Sequence, residues 1–475
     1  MEGMDNTEDS NIEIHIDVEE NNEHVELSES DSIEVEISDG KSLESFLEEE
    51  IATLPRKLFD IGIIYKVSEK YRKVKEESYT PRIVSIGPLH HGKSHLQAME
   101  TYKLRCLKSL KIKCGIKLKE LSQYASSCEY NIRSYYQDFN FTSLDFSKMI
   151  LLDGIFIILL IGKDKERFSG IADPFLSGNK SWRTSDIMHD MLLLENQLPL
   201  FFVKGLLKIL DELQKVPSDS DFFSKDLHKY FLEVGITNRL ETIDFRSALH
   251  LVDYLLRLHL PPDAELPDET EEQPKAEHGR SLNVISDYTR TRSTSELQEA
   301  GVRFIPLPSG GLFEVLFNKL TGELRIPQLT VNGTTETFFR NVIALEQCLY
   351  STKHITSYVI FMDSLINTSK DVDLLVKHKI IDNLLGEEQL VADLFNNLHK
   401  EAVEDQREFY FADTCKDLNE YSKDWFHQWR SSWFKWKLML RNNYFSNPWS
   451  VISFIAATIV VVLTIVQTVC AISGL

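Results

Sequence analysis

Met149-Ile150-Leu151-Leu152-Asp153-Gly154-Ile155-Phe156-Ile157-Ile158-Leu159-Leu160-Ile161 is the stretch on which the fold turns. It reads either as a membrane span or as a helix at the centre of a soluble core. A helix of that length covers about 20 Å, short of the roughly 30 Å of bilayer hydrocarbon, and it carries an acid part-way along. It therefore reads as a buried core helix. A second apolar run, Met191–Leu210, is long enough to span but opens with Glu195, Asn196, Gln197 and Pro199. That is too polar for lipid, so it too reads as core helix. With these two assigned inward, apolar residues at three- and four-residue spacing from Leu43 onward make the chain predominantly helical. A hydrophobic fraction of 43% is that of a globular protein, and 475 residues can bury a large core.

Strand signals concentrate in one place. Val302–Ile305, Phe313–Phe317, Glu323–Ile326 and Gln328–Val331 are short apolar-rich runs. Turn signals at Gly310-Gly311, Asn318–Gly322 and Asn332-Gly333 separate them. A helix should restart at a Thr334/Thr335 cap, with Glu336 supporting its first turn. Helical patterning then runs from Phe338 to Arg441. Ahead of the strands, Pro261–Gly279 is rich in Pro and acids and has nothing to bury, so a flexible surface insert at about 261–280 is expected.

Charge is unevenly placed. The formal net charge is −21, but residues 1–50 hold 19 Asp and Glu against one Lys, contributing −18 and leaving −3 for the rest. The nearly neutral remainder has no electrostatic footprint for nucleic acid. Residues 1–44 read as a disordered acidic tail. Within it Ile12–Val18 and Ile33–Ile37 alternate with period two, which suits either a strand added to a partner's sheet or a solvated tail. No basic or apolar region at the N-terminus marks a signal peptide. The six cysteines form no CxxC pair, which fits a reducing compartment.

The C-terminus has a different character. Val451–Ile472 is 22 residues without a charge, enough to cross a bilayer with some tilt. The basic flank, Lys435, Lys437 and Arg441, is N-terminal to it and would hold the preceding domain in the cytosol. Such a late span would be inserted after translation, as in tail-anchored proteins, into the plasma membrane or an endomembrane. Trp425, Trp429, Trp433 and Trp436 fall on one helical face just before it, with Trp449 at the boundary. This basic, Trp-lined segment suits the headgroup layer, and it equally suits packing into the core. Within the span, Ser453, Ala457, Thr464, Gln467 and Ala471 share a seam of small and polar residues, which would support a weak homodimer.

Gly87-Pro88-Leu89-His90-His91-Gly92-Lys93-Ser94 satisfies the P-loop pattern GxxxxGK[ST] letter for letter. Pro88 removes a backbone donor, His90 and His91 crowd the loop, and no strand–helix alternation supplies a parallel sheet. Nucleotide binding at Gly87–Ser94 is therefore the alternative, not the leading reading. His90, His91 and His95 lack an acidic or Cys partner at metal-ligand spacing and read as ordinary hydrogen-bonding residues. No cofactor, metal or catalytic constellation is expected.

Tyr79–Gly92 with Met99-Glu100 and Lys103 resembles the opening signature of the plant DUF247 family. Met149–Ile161, Asp190–Phe202, Ser295–Phe304, Phe338–Cys348 and Asn447–Ser453 resemble its later blocks, in order, across about residues 45–472. The resemblance implies a membrane-attached plant protein without established enzymatic chemistry, some of whose relatives are associated with self-incompatibility recognition. The expected fold is mainly α: a large helical domain over 45–445 with a small β element, plus one transmembrane helix at 449–472. The expected function is that of a non-enzymatic recognition or signalling scaffold.

Overall fold

A computed structural model describes residues 63–423, apart chiefly from 163–180, 215–221, 234–247, 265–289 and 403–407, together with 448–473. The acidic tail, most of the 261–280 insert and the Trp425–Trp436 segment lie outside the described residues.

Thr142 starts the central helix, α3, its hydroxyl accepting from the Asp145 amide, as a Thr N-cap does. α3 runs Ser143–Ile161, and every residue from Met149 to Ile161 is buried. A helix apolar on all sides must be enclosed on all sides. The enclosing helices are α1 (Gln97–Cys114), α2 (Leu118–Arg133), α5 (Leu200–Gln214) and α6 (Phe222–Glu233). Gly154 sets the closest approach: a Cβ there would meet Leu206 Cδ2 at 2.8 Å and Phe202 Cε1 at 3.1 Å on α5.

The second apolar run is not one helix. α4 (Ser181–Met191) ends where it begins, 192–199 turns, and α5 starts at Leu200. Pro199 supplies no N–H to a preceding turn and favours a helix start. Glu195, Asn196 and Gln197 in that turn are each about 1% exposed. Their polarity marks a buried hydrogen-bonding corner, not a solvent-facing loop.

The C-terminal half packs α7 (Leu251–His259), α8 (Thr294–Glu299), α9 (Thr335–Leu349), α10 (His354–Leu365), α11 (Ser369–Lys377), α12 (Glu388–Leu398) and α13 (Ala412–Lys423) around two small sheets. Strands β1 (Arg303–Leu307), β2 (Leu316–Asn318) and β3 (Glu323–Pro327) form the first, in order β1-β3-β2. β1 runs parallel to β3 and β2 antiparallel to it, with Phe304 opposite Leu324 and Phe317 also opposite Leu324. The second sheet pairs β4 (Leu329–Val331) in parallel with β5 (Ile381–Asn383).

β5 interrupts the helical pattern expected from Phe338 to Arg441. Three residues are too few to show a period of two. Lys379, at φ 59°, ends α11 in the left-handed region and turns the chain into β5. The Thr334/Thr335 start of α9 is where expected, but the cap differs. Asn332 Oδ1 accepts from the Thr334 amide at 2.9 Å, and Thr335 Oγ1 accepts from the Asn332 amide at 2.9 Å. α8 and α11 each open with a capping box, Ser293/Glu296 and Thr368/Asp371, and Asp371 also accepts from the Ser295 amide. The buried apolar residues of both halves form one continuous core.

Helix α14 (Pro448–Ser473) is 26 residues long, and the side chains described in it, 456–469, are all exposed. Those residues alone span about 21 Å. Among the described residues no helix is long and apolar enough to cross a membrane.

Candidate functional site

Arg82–Ile86 bends at Arg82 and Ile83 and, among the described residues, joins no strand. Side chains take the place of a neighbouring strand. The Asp190 carboxylate, at the end of α4, accepts from the amides of Arg82, Ile83 and Val84 at 2.7, 2.8 and 2.8 Å. Asn196 Oδ1 accepts from the Ile86 amide, and its Nδ2 donates to the Val84 carbonyl. Asp153 Oδ2, from the middle of α3, accepts from the Gly87 amide at 2.8 Å. Lys103 on α1, wholly buried, donates to the Ser85 carbonyl and pairs with Asp153 and Glu100 at 2.6 Å each. Asn341 on α9 accepts from the Leu194 amide and donates to the Ser78 carbonyl. Asp153 thus belongs to a helix, not to a strand of the kind that follows a P-loop.

This stitching fixes the loop that follows. Gly87 sits at φ 73°, where a Cβ would meet the Gln197 carbonyl oxygen at 2.8 Å and the Tyr136 hydroxyl at 2.8 Å. Its amide is bound by Asp153 and the His91 amide donates to the Pro88 carbonyl, so two of the donors that a P-loop turns toward phosphate are already taken. The loop instead forms one wall of a cavity of about 730 Å³.

Glu195 is at the buried end of that cavity, beside Arg72 from the short turn of helix Glu69–Arg72. Glu195 Oε1 accepts from the Val67 amide at 2.7 Å and from the Arg72 guanidinium. Glu195 Oε2 lies 2.9 Å from His90 Nε2. On the other side of the ring, Lys93 Nζ is 2.8 Å from His90 Nδ1. An ammonium only donates, so Nδ1 accepts and the proton sits on Nε2, toward Glu195. Burial lowers the His90 pKa and keeps the ring neutral. Burial alone would raise the Glu195 carboxyl, but the His90 and Arg72 contacts outweigh it and hold it below the usual carboxylate range. Partial burial lowers the Lys93 ammonium, opposed by Glu195 and reinforced by Arg72 and Lys66. Arg72 Nε, on a side chain only 9% exposed, has no hydrogen-bond partner among the described residues.

Two aromatic rings also line the cavity. Phe139 and Phe141 lie 6.1 Å apart between ring centres, and His91 meets the Phe141 edge at 5.7 Å. His95 has an ordinary partner, its Nε2 lying 3.1 Å from the Pro81 carbonyl.

A family model described as a plant protein of unknown function, DUF247, matches residues 64–463. The chain belongs to the DUF247 family. This DUF247 protein is similar to a UPF0481 protein of Arabidopsis thaliana, 29% identical over 86% of each chain. It is also similar to a putative UPF0481 protein of the same plant, 23% identical over 90% of this chain and 92% of that one. No solved structure matches.

Of the residues singled out from sequence in this DUF247 chain, His90, His91 and Lys93 come together at the cavity. Arg72 and Glu195, its buried ion pair, were not singled out. They lie 123 positions apart, and no local pattern connects them. Trp425, Trp429, Trp433 and Trp436 lie outside the described residues, as do the side chains of Trp449, Ser453 and Ala471. Ala457, Thr464 and Gln467 are exposed, but so are Ile459, Val462 and Val466, so exposure does not separate the seam from the opposite face. The Thr464 hydroxyl donates to the Val460 carbonyl at 2.8 Å. Among the described side chains of the seam, Gln467 is therefore the remaining polar group for another chain.

Proposed function

We propose that this DUF247 protein is a recognition or signalling scaffold without enzymatic chemistry of its own, held on a plant membrane by α14 with its large domain in the cytosol. The observation that carries this reading is the charge-free run Val451–Ile472 within a 26-residue helix. Its described side chains, including Ile459, Leu463, Ile465 and Val469, are each more than half exposed. Soluble chains rarely leave so continuous an apolar surface in water, and a helix satisfies its own backbone in lipid. The scaffold half of the reading is supported by the use made of Asp190, Asn196 and Asn341, whose polar atoms bind backbone groups of the fold. Weak pairing of two copies through Gln467 belongs to the same proposal.

Alkaline carbonate extraction of plant microsomes tests it. The full chain should stay with the membrane pellet, and a chain ending at Arg441 should be released. Release of the full chain would overturn the anchor and with it the proposed function.

A further inference from the structure

The cavity beside Gly87–Ser94 has a size, a charge and a lining that together specify a ligand class. About 730 Å³ falls within the range of pockets that enclose small organic molecules. Four cations line it, Lys66, Arg72, Lys73 and Lys93, against three carboxylates, Glu69, Glu76 and Glu195. The lysines, arginine and glutamates of the lining together carry one positive charge in excess. That balance suits a single negative charge and not the several of a nucleotide triphosphate.

The charges are also unequally available. Glu195 is occupied by the Val67 amide, Arg72 and His90, so the most buried acid is already neutralised. Lys93 directs one N–H to His90 and has two others. The Arg72 guanidinium gives Nη2 to Glu195 and one Nη1 hydrogen to Thr80 Oγ1 at 3.5 Å, which leaves a second Nη1 hydrogen on a side chain that lines the cavity. Leu89, Phe139 and Phe141 line the same cavity, an apolar surface of which two members are aromatic. A lining that joins cations to aromatic rings matches a molecule with an acid at one end and a flat apolar body at the other.

We propose that this cavity binds a small aromatic carboxylic acid as its monoanion, the carboxylate between Arg72 and Lys93 and the ring against Phe139 and Phe141. This goes beyond the anchored-scaffold reading and stands without it.

Saturation-transfer NMR on the full chain in mild detergent tests it. The probes are 2-naphthoate, biphenyl-4-carboxylate and 3-phenylpropanoate, each beside its neutral primary amide, with phenyl phosphate and Mg-ATP as further arms. At least one acid should bind and its amide should bind about tenfold more weakly, the discrimination expected of a charge-assisted contact. Lys93→Gln should weaken the acid about tenfold and leave the amide unchanged. Lys93 is exposed, so this variant should melt with the parent. Binding by none of the acids, equal binding of acid and amide, or unchanged acid affinity in Lys93→Gln overturns the proposal. Tighter binding of phenyl phosphate or Mg-ATP than of any carboxylate overturns it in favour of a phosphate ligand. Failure of the carbonate test leaves these outcomes untouched, so the two readings fall separately.

Discussion

Two segments of this domain are held in opposite ways. In the sheet, β3 lies between β1 and β2, and its backbone pairs with β1 from Glu323 to Pro327 and with β2 from Glu323 to Arg325. At Arg82–Gly87, the backbone finds side chains instead: Asp190 for three amides, Asn196 for a fourth, Asp153 for a fifth. A sheet distributes its hydrogen bonds over groups that every residue carries, so no single side chain decides them. A stitched segment concentrates them in a few buried polar groups, each of which, once removed, strands several donors. The sheet should therefore tolerate substitution, and the stitched segment should not.

The comparison is most exposed at Asp190. Asp190→Ala should destabilise the domain by about 4 kcal/mol or more, since three amides lose a charged acceptor in a buried setting. Urea unfolding of the full chain in detergent measures it, and a loss below about 1 kcal/mol would remove the contrast altogether. Gly87→Ala comes next, at about 2–3 kcal/mol, because Ala both resists a positive φ and places a methyl against the Gln197 carbonyl. A neutral result by the same method would mean that the 87–92 loop moves away freely, contrary to its tie to Asp153. The smallest effect is expected on β3. Arg325 is exposed, and its guanidinium reaches only Glu323, at 3.3 Å. Arg325→Thr should therefore change stability by no more than about 0.5 kcal/mol. A loss comparable to that of Gly87→Ala would show that the sheet, too, depends on particular side chains.

The parts of this fold that were legible in sequence were those with local causes. Met149–Ile161 could be assigned to the core because its length and Asp153 argue against lipid, and α3 is that core. The β region between 302 and 331 announced itself through Gly and Asn turns, although Phe313–Val315 does not join β2. The capping boxes of α8 and α11 were present as Ser293-x-x-Glu296 and Thr368-x-x-Asp371 and could have been read. What could not be read was anything joined over distance. β5 pairs with β4 some fifty residues earlier in the chain and has too few residues to signal itself. Asn196 looked like an interruption of an apolar run and Asp190 lay just ahead of that run, and their partners are 106 to 112 positions away. The same holds for the site. Gly87–Ser94 drew notice through a phosphate-loop pattern that its geometry does not support, and the loop does line the cavity. The buried ion pair beneath it, Arg72 with Glu195, has no signature at the level of spacing.

Long-range ties at the start of the domain also set an order of events on the ribosome. The Ile64–Gly87 stretch emerges first, yet the Tyr65 hydroxyl binds the Ala344 carbonyl, 279 positions on, and the Ser78 carbonyl binds Asn341, 263 positions on. Helices α1 to α3 can assemble as they appear, whereas the leading segment must wait for α9. Until Asp153, Asp190 and Asn196 have emerged, the amides of Arg82–Gly87 have water as their partner, and until α9 emerges the Tyr65 hydroxyl and the Ser78 carbonyl do. A nascent chain stalled before Asp190 would consequently present this segment as a client for chaperones, long before α9 exists.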